Sequence, residues 1–227
     1  MLPSLVVLCV LPVLVGLGVW QLHRAGQKEQ LARDLERQRA LLPLELTGAE
    51  IDQPPPRYRE AVAEGRFEPE HQVFLENRRH QGRRGFEVIT PLHIHDSDAR
   101  VLINRGWIAE APGGLPEAAA PAAEVRVRGM IDVPSPPALA LGDPSQWGQA
   151  WPYFTVAAYA ARETFPVLPF VLLQDPGDEH GFVRNWPTPQ TNPAMHLGYA
   201  IQWFAFALIA AVIYLRLSFE SPNSNKT

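Results

Sequence analysis

His196, Tyr199 and Trp203 are the residues whose types and spacing most readily support chemistry in this chain. On a helix turning about 100° per residue they fall within roughly 60° of one another, so one narrow face carries an imidazole, a phenol and an indole. Trp20 and Arg24, one helical turn apart, share a face in the same way. Two chemistries fit these groups. Tyrosine and tryptophan rings with a snorkelling arginine make an aromatic belt at a membrane surface. The same residues can hold a haem, with the histidine as axial ligand and an arginine paired to the propionates. Gln202 should face protein or a polar ligand rather than lipid.

Elsewhere the sequence argues against catalysis. It contains no GxSxG, Walker loop, GxGxxG or HExxH, and spacing singles out no carboxylate pair, so no enzyme activity and no catalytic residue is expected. His93-x-His95 on a strand places two rings on one face as a potential metal pair, but the adjacent Asp96-Ser97-Asp98 marks a solvated strand end, and no resident metal is expected. His71, His80 and His180 fall in polar turns and are read as solvated. The one cysteine, Cys9, lies in an apolar run, which excludes a disulfide framework, a CxxC motif and a thiolate copper site.

The elements that must position these residues follow from how the apolar side chains are distributed. At 227 residues, 46% hydrophobic and 19% charged, the chain is too apolar for disorder. Two dense apolar blocks sit at its ends, Leu2–Trp20 and Leu197–Leu217. As helices they are about 28 and 31 Å long, matching the roughly 30 Å hydrocarbon core of a bilayer. The first lacks a basic n-region and a small-x-small cleavage site, which points to an uncleaved signal anchor, with Pro3 and Pro12 tolerated. The expected organisation is a transmembrane helix over 1–22, a domain over 23–195, a second transmembrane helix over 196–217 and a tail over 218–227. Trp20 then ends one span and His196 precedes the other at the same membrane surface. Arg24, Lys28, Arg33, Arg37 and Arg39 follow the first span, which by the positive-inside rule holds the domain in the cytoplasm. That rule is weak for translocated segments longer than about 60 residues, so charge leaves the orientation open.

All but Glu220 of the 24 acids and all but Arg216 and Lys226 of the 20 bases lie between the spans, leaving 23 acids against 18 bases and a net charge of −5. That balance does not support nucleic-acid binding. Residues 26–42 read as a helical lead-in, stopped by Gln53-Pro54-Pro55-Pro56. Beyond it, short β-like runs are expected at Tyr58–Phe67, Gln72–Glu76, Gly85–Pro91, Arg100–Ile108, Glu124–Val133 and Phe170–Leu173. Arg78–Gly85 reads as a hairpin loop, Ala111–Ala123 as a flexible surface loop, Pro134–Gln149 as a proline-rich loop, and Val156–Arg162 as a short helix. The fold class is a membrane protein with two transmembrane helices flanking a mainly antiparallel, barrel-like β domain.

Five ordered motifs carry a resemblance. They are Trp20-Gln21-x-x-Arg24 with Lys28 and Leu31; Gly65-x-Phe67; Gly85-Phe86-x-Val88-x-Thr90-Pro91-Leu92; Val101-Leu102-Ile103-Asn104-Arg105-Gly106-Trp107-Ile108; and His196-Leu197-x-Tyr199-Ala200-x-x-Trp203-Phe204. Together they resemble the surfeit locus protein one (Shy-one) family across nearly the whole chain, with Gln27, Ala109 and Gln202 departing from the family pattern. The resemblance implies assembly of cytochrome c oxidase, by handling or inserting haem a into subunit I. The domain would then lie in the periplasm of a bacterial inner membrane and the tail in the cytoplasm. It implies subunit I as partner, haem a synthase as a further candidate partner, contact with membrane lipids, and a transient haem a contact at His196. The other residues expected to bind the cofactor are Trp20, Tyr199 and Trp203 around the ring, and Arg24 or Arg105 at the propionates. For Arg105 a structural ion pair beside a packed Trp107 is the competing explanation. Arg78–Arg84 is the candidate for docking an acidic partner surface. A scaffold that stabilises a subunit I intermediate without binding haem is the alternative function.

Overall fold

Alternating apolar residues build a closed barrel in the middle of the chain. The computed structural model describes residues 2–48, 54–139, 142–179, 182–187 and 191–220; the readings made for Gln53, His180 and 221–227 lie outside the described residues. Eight strands form one sheet: β1 (Leu44–Leu46), β2 (Glu60–Phe67), β3 (Val73–His80), β4 (Arg83–Ile94), β5 (Arg100–Ala109), β6 (Val125–Asp132), β7 (Ala150–Trp151) and β8 (Val167–Gln174). Their order is β1-β2-β6-β8-β5-β4-β3-β7, and a further pairing of β2 with β4 closes β2, β6, β8, β5 and β4 into a five-stranded ring. The barrel-like domain flanked by two apolar helices is thus observed.

Period-two alternation decides which side chains fill the ring. Ala61, Ala63 and Phe67 of β2, Leu92 and Ile94 of β4, Val101 and Ile103 of β5, Val127 and Ile131 of β6, and Leu168, Phe170 and Leu172 of β8 form one buried cluster. Alternate residues of β3, β4, β5 and β8, among them Leu75, Ile89, Leu102 and Val171, face the other way. They are covered by Trp151, Phe154 and Tyr159, the last on the short helix α2 (Val156–Ala160). Thr155 caps α2 by accepting from the Ala158 N–H at 3.2 Å, and the Tyr159 hydroxyl donates to the His71 carbonyl at 2.8 Å. Burial, the largest influence, raises the Tyr159 pKa and keeps the phenol protonated.

The closing seam is short, pairing only Gly65–Phe67 with Leu92–Ile94. It requires glycine at 65, because a Cβ there would lie 1.9 Å from the His93 carbonyl oxygen, which is backbone and cannot give way. At one end of the barrel the inward position after Val101 and Ile103 is Arg105, only 1% exposed. Its guanidinium lies over the rings of Phe67 and Phe182, at 5.1 and 4.9 Å, and Nη2 donates to the Ala119 carbonyl at 2.8 Å. Burial first, and Arg184 second, bring its pKa down to about 10.

Three features differ from the sequence expectations. Pairing is antiparallel in most of the sheet, but β5–β8, β1–β2 and β3–β7 are parallel. The long segment between β6 and β8 carries β7 and α2, and this crossover lets β8 enter between β6 and β5. The hairpin loop expected at Arg78–Gly85 is only Gln81-Gly82, because Arg78, Arg79 and His80 pair with Gly85, Arg84 and Arg83. Both turn residues have positive φ, 48° and 79°, the twist a two-residue hairpin needs. Ala111–Ala123 is not a free surface loop: Ala118 is buried against Phe74, Phe86 and Val88, and Ala119 is tied to Arg105.

The second unit consists of two helices, α1 (Leu2–Ala40) and α3 (Ala194–Glu220), both apolar and long enough to cross a membrane. α1 continues through Pro12 and, at 39 residues, is about 58 Å long, so span and lead-in are one helix.

Gly65→Ala should open the β2–β4 seam. We expect a loss of about 2–3 kcal/mol and a drop of roughly 4–12 °C in the β-domain melting temperature of the detergent-solubilised protein, followed by circular dichroism. An unchanged transition would mean that the seam does not hold the barrel.

Candidate functional site

The sequence Asn192-Pro193-Ala194 places His196 on a defined helical turn. The Asn192 side-chain oxygen accepts from the Ala194 N–H at 2.9 Å, Pro193 supplies a φ suited to a first turn, and the Leu197 N–H donates to the Pro193 carbonyl at 3.0 Å. Capped in this way, α3 begins with the half-buried His196 in its first turn.

Across the helix pair, His196 Nδ1 lies 2.8 Å from Gln21 Oε1 of α1. About two turns beyond His196, the Phe204 ring occupies the space where a Cβ on Gly18 would be, 2.7 Å from its Cε1. Because position 21 meets 196 while 18 meets 204, the helices run antiparallel. Near this contact the protected positions are small: Gly18 and Ala25 on α1, Ala200 and Ala207 on α3, with Leu35 buried further along α1. Each pair is seven residues apart, which keeps one narrow stripe of each helix in contact and brings the backbones close.

The other residues expected on these helices surround that contact without forming it. Trp20 is 54% and Tyr199 48% exposed, so both rings present large free faces. Trp203 is half-buried and packs edge-to-face on Phe206 at 6.0 Å. Arg24 is exposed and Nη1 donates to Gln27 Oε1 at 2.9 Å. Gln202, expected to face protein or a polar ligand, is exposed rather than packed against α1. Arg105 belongs to the barrel unit, enclosed as described above. In chemical terms, the helix pair offers an imidazole with one nitrogen engaged and the other without a partner among the described residues, beside flat aromatic surfaces.

The histidines of the barrel unit engage separate partners. His93 Nε2 contacts the Ser97 carbonyl at 2.8 Å, and His95 Nδ1 approaches Glu124 at 2.5 Å. His71 pairs with Glu163 at 2.9 Å, and His80 packs on Trp107. Among the described residues no group of three or more metal-ligating side chains converges.

Sequence reasoning assigned no role to Gln21, although it stands next to Trp20. The small residues at 18, 25, 200 and 207 were the available signal, since they mark the faces that meet and position 21 lies on the same stripe as 18 and 25. Also unforeseen is a cleft of about 720 Å³ on the outer sheet face, with Arg78, Glu87 and Asn104 at its base and Tyr153, Phe154 and Trp186 in its walls. Asn104 Nδ2 donates to Glu87 at 2.9 Å and Arg78 pairs with the same carboxylate at 3.4 Å. Its lining comes from distant segments, so no local motif announces it.

Comparison with known proteins places this architecture. A SURF1-like protein of Monosiga brevicollis is 27% identical, over 93% of this chain and 85% of its own length. A SURF1-like protein of Mycobacterium tuberculosis is 26% identical, over 86% of this chain and 74% of its own length. The cytochrome oxidase assembly protein SHY1 of Saccharomyces cerevisiae is 30% identical over 41% of this chain and 25% of its own length. The SURF1 family pattern matches residues 8–208, which takes in the whole barrel, most of α1 and the first part of α3, and the chain therefore belongs to the SURF1 family.

Proposed function

We propose that this protein is an assembly factor for cytochrome c oxidase in a bacterial inner membrane, with its barrel in the periplasm, and that it handles haem a for insertion into subunit I through His196. The observation that carries the reading is the half-buried His196 side chain, fixed by Gln21 on two paired apolar helices with Nε2 left over. Membership of the SURF1 family and the name of the yeast relative support the oxidase-assembly part.

The donor set fits a haem held transiently. His196 alone would give the iron one bond, which suits release better than two would. The exposed faces of Trp20 and Tyr199, with Trp203 nearby, offer apolar surface for a macrocycle. Arg24, one turn from Trp20 and bonded among the described residues to neutral Gln27, retains guanidinium donors for a propionate. Arg105, enclosed by Phe67, Phe182 and the Ala119 carbonyl, serves the barrel end instead. When bound, the group would supply its iron and its redox chemistry, whereas the contribution of this chain is to bind and orient.

A second reading rests on the β3–β4 hairpin. Arg79, Arg83 and Arg84 are exposed at its tip and make no ion pair among the described residues, a cationic point suited to an acidic surface of subunit I. A scaffold that uses this tip alone would assist assembly without touching haem.

Three outcomes are expected. In cells that depend on this chain for oxidase assembly, His196→Ala should reduce the haem a content per subunit I severalfold while leaving the protein's own level unchanged; normal haem a content would remove His196 from the function. Replacing Arg79, Arg83 and Arg84 together by Glu should weaken capture of subunit I about tenfold, most at low salt, because like charge now faces the partner. Equal capture would free the hairpin of any docking role. A reporter inserted at Gly113-Gly114, where added side chains meet open space, should be active only as a periplasmic reporter; cytoplasmic activity would reverse the orientation.

A further inference from the structure

We infer that Gln21 is the residue that prepares His196 as a ligand, by accepting the Nδ1 proton and so directing the Nε2 lone pair outward. The inference rests on the haem-handling reading above. An amide Oε1 only accepts hydrogen bonds, so the ring nitrogen 2.8 Å from it must be the donor. A neutral imidazole carries one proton; with that proton on Nδ1, Nε2 is left with its lone pair and without hydrogen. Among the described residues Nε2 has no other partner.

The surroundings make this contact an enforced one. Gln21 and His196 are 175 positions apart in the chain and meet only because α1 and α3 pair antiparallel. Gly18, one turn before Gln21, admits the Phe204 ring, and Ala25 and Ala200, small and buried, flank the contact on the two helices. Gln21 is itself half-buried, so its amide has little access to water. In an apolar helix pair each polar head makes the other tolerable, and replacing either leaves the other without a partner. A hydrogen bond to the far nitrogen of a ligating histidine fixes its tautomer and its ring plane, and increases its basicity. Gln21 is therefore a positioning residue: it acts on the cofactor only through His196, and any loss of this bond releases the ring to rotate and to take the opposite tautomer.

The test uses the full-length protein in lipid nanodiscs. With ¹⁵N-labelled histidine and no haem present, the His196 resonances should report the Nδ1–H tautomer. Gln21→Leu should abolish that preference and Gln21→Glu, which keeps an acceptor, should preserve it. Titration with ferric haemin should then give about tenfold weaker binding for Gln21→Leu, while Gln21→Glu binds as wild type with a lower midpoint potential because a carboxylate makes the imidazole more electron-rich. The Gln21→Glu rescue separates positioning from loss of folding. An Nε2–H tautomer in the wild-type protein would overturn the role of Gln21. So would unchanged haemin affinity in Gln21→Leu when His196→Ala has lost it, and in that case the haem reading stands. If His196→Ala binds haemin as tightly as wild type, the ligand assignment fails and the role of Gln21 with it.

Discussion

A polar side chain at the end of an apolar helix pair finds few partners among its neighbours, and the His196–Gln21 contact supplies one to each helix. The two head groups satisfy each other and fix how two otherwise smooth helices register. Gly18, Ala25, Ala200 and Ala207 allow the backbones to come close enough for a 2.8 Å bond to form. Packing of small residues alone would permit several neighbouring registers; one directional bond selects among them. The bond that orders the helix pair also leaves one imidazole nitrogen uncommitted, so the structural requirement and the proposed ligand role are met by the same atoms.

The barrel answers a different requirement. A sheet with an open edge invites pairing with other chains, and the β2–β4 seam removes that edge for five of the eight strands. β1 lies against the remaining part of the β2 edge, and β7 against β3. Closing so small a ring leaves room for glycine alone at 65, and it leaves Arg105 enclosed by two aromatic rings where an apolar residue would ordinarily sit. The cationic hairpin tip projects from this rigid frame through a turn whose two residues need left-handed backbone, which gives a docking element with a fixed direction.

Much of this was legible in the sequence. Apolar runs of the length of a bilayer, free of charge but for Arg216, announce the two long apolar helices, and strict alternation in Glu124-Val125-Arg126-Val127-Arg128 announces a strand with one buried face. Asn192-Pro193 is a capping signal that announces the start of α3 at Ala194, two residues ahead of His196. What could not be read was non-local. Parallel entry of β8 between β6 and β5 depends on a crossover whose direction no residue type encodes. The anchoring of Ala118 and Ala119 depends on Phe74, Phe86 and Val88 and on Arg105, fourteen residues before Ala119, and a run of alanine and proline looks the same whether docked or free. At the candidate site, periodicity grouped His196 with Tyr199 and Trp203 on one face, but only the partner helix shows that position 196, with Ala200, is the part of that face turned inward. Gln21 was visible as a letter in a motif and became meaningful only with its partner 175 residues away.

Haem a handling at His196 is the central proposal, and the most direct measurement is the absorption spectrum of the protein purified from cells that make haem a, wild type beside His196→Ala. Haem a bands that accompany the wild-type protein and vanish from the variant are the expected result. Bands of equal strength in both proteins, or none in either while subunit I still co-purifies, would contradict it.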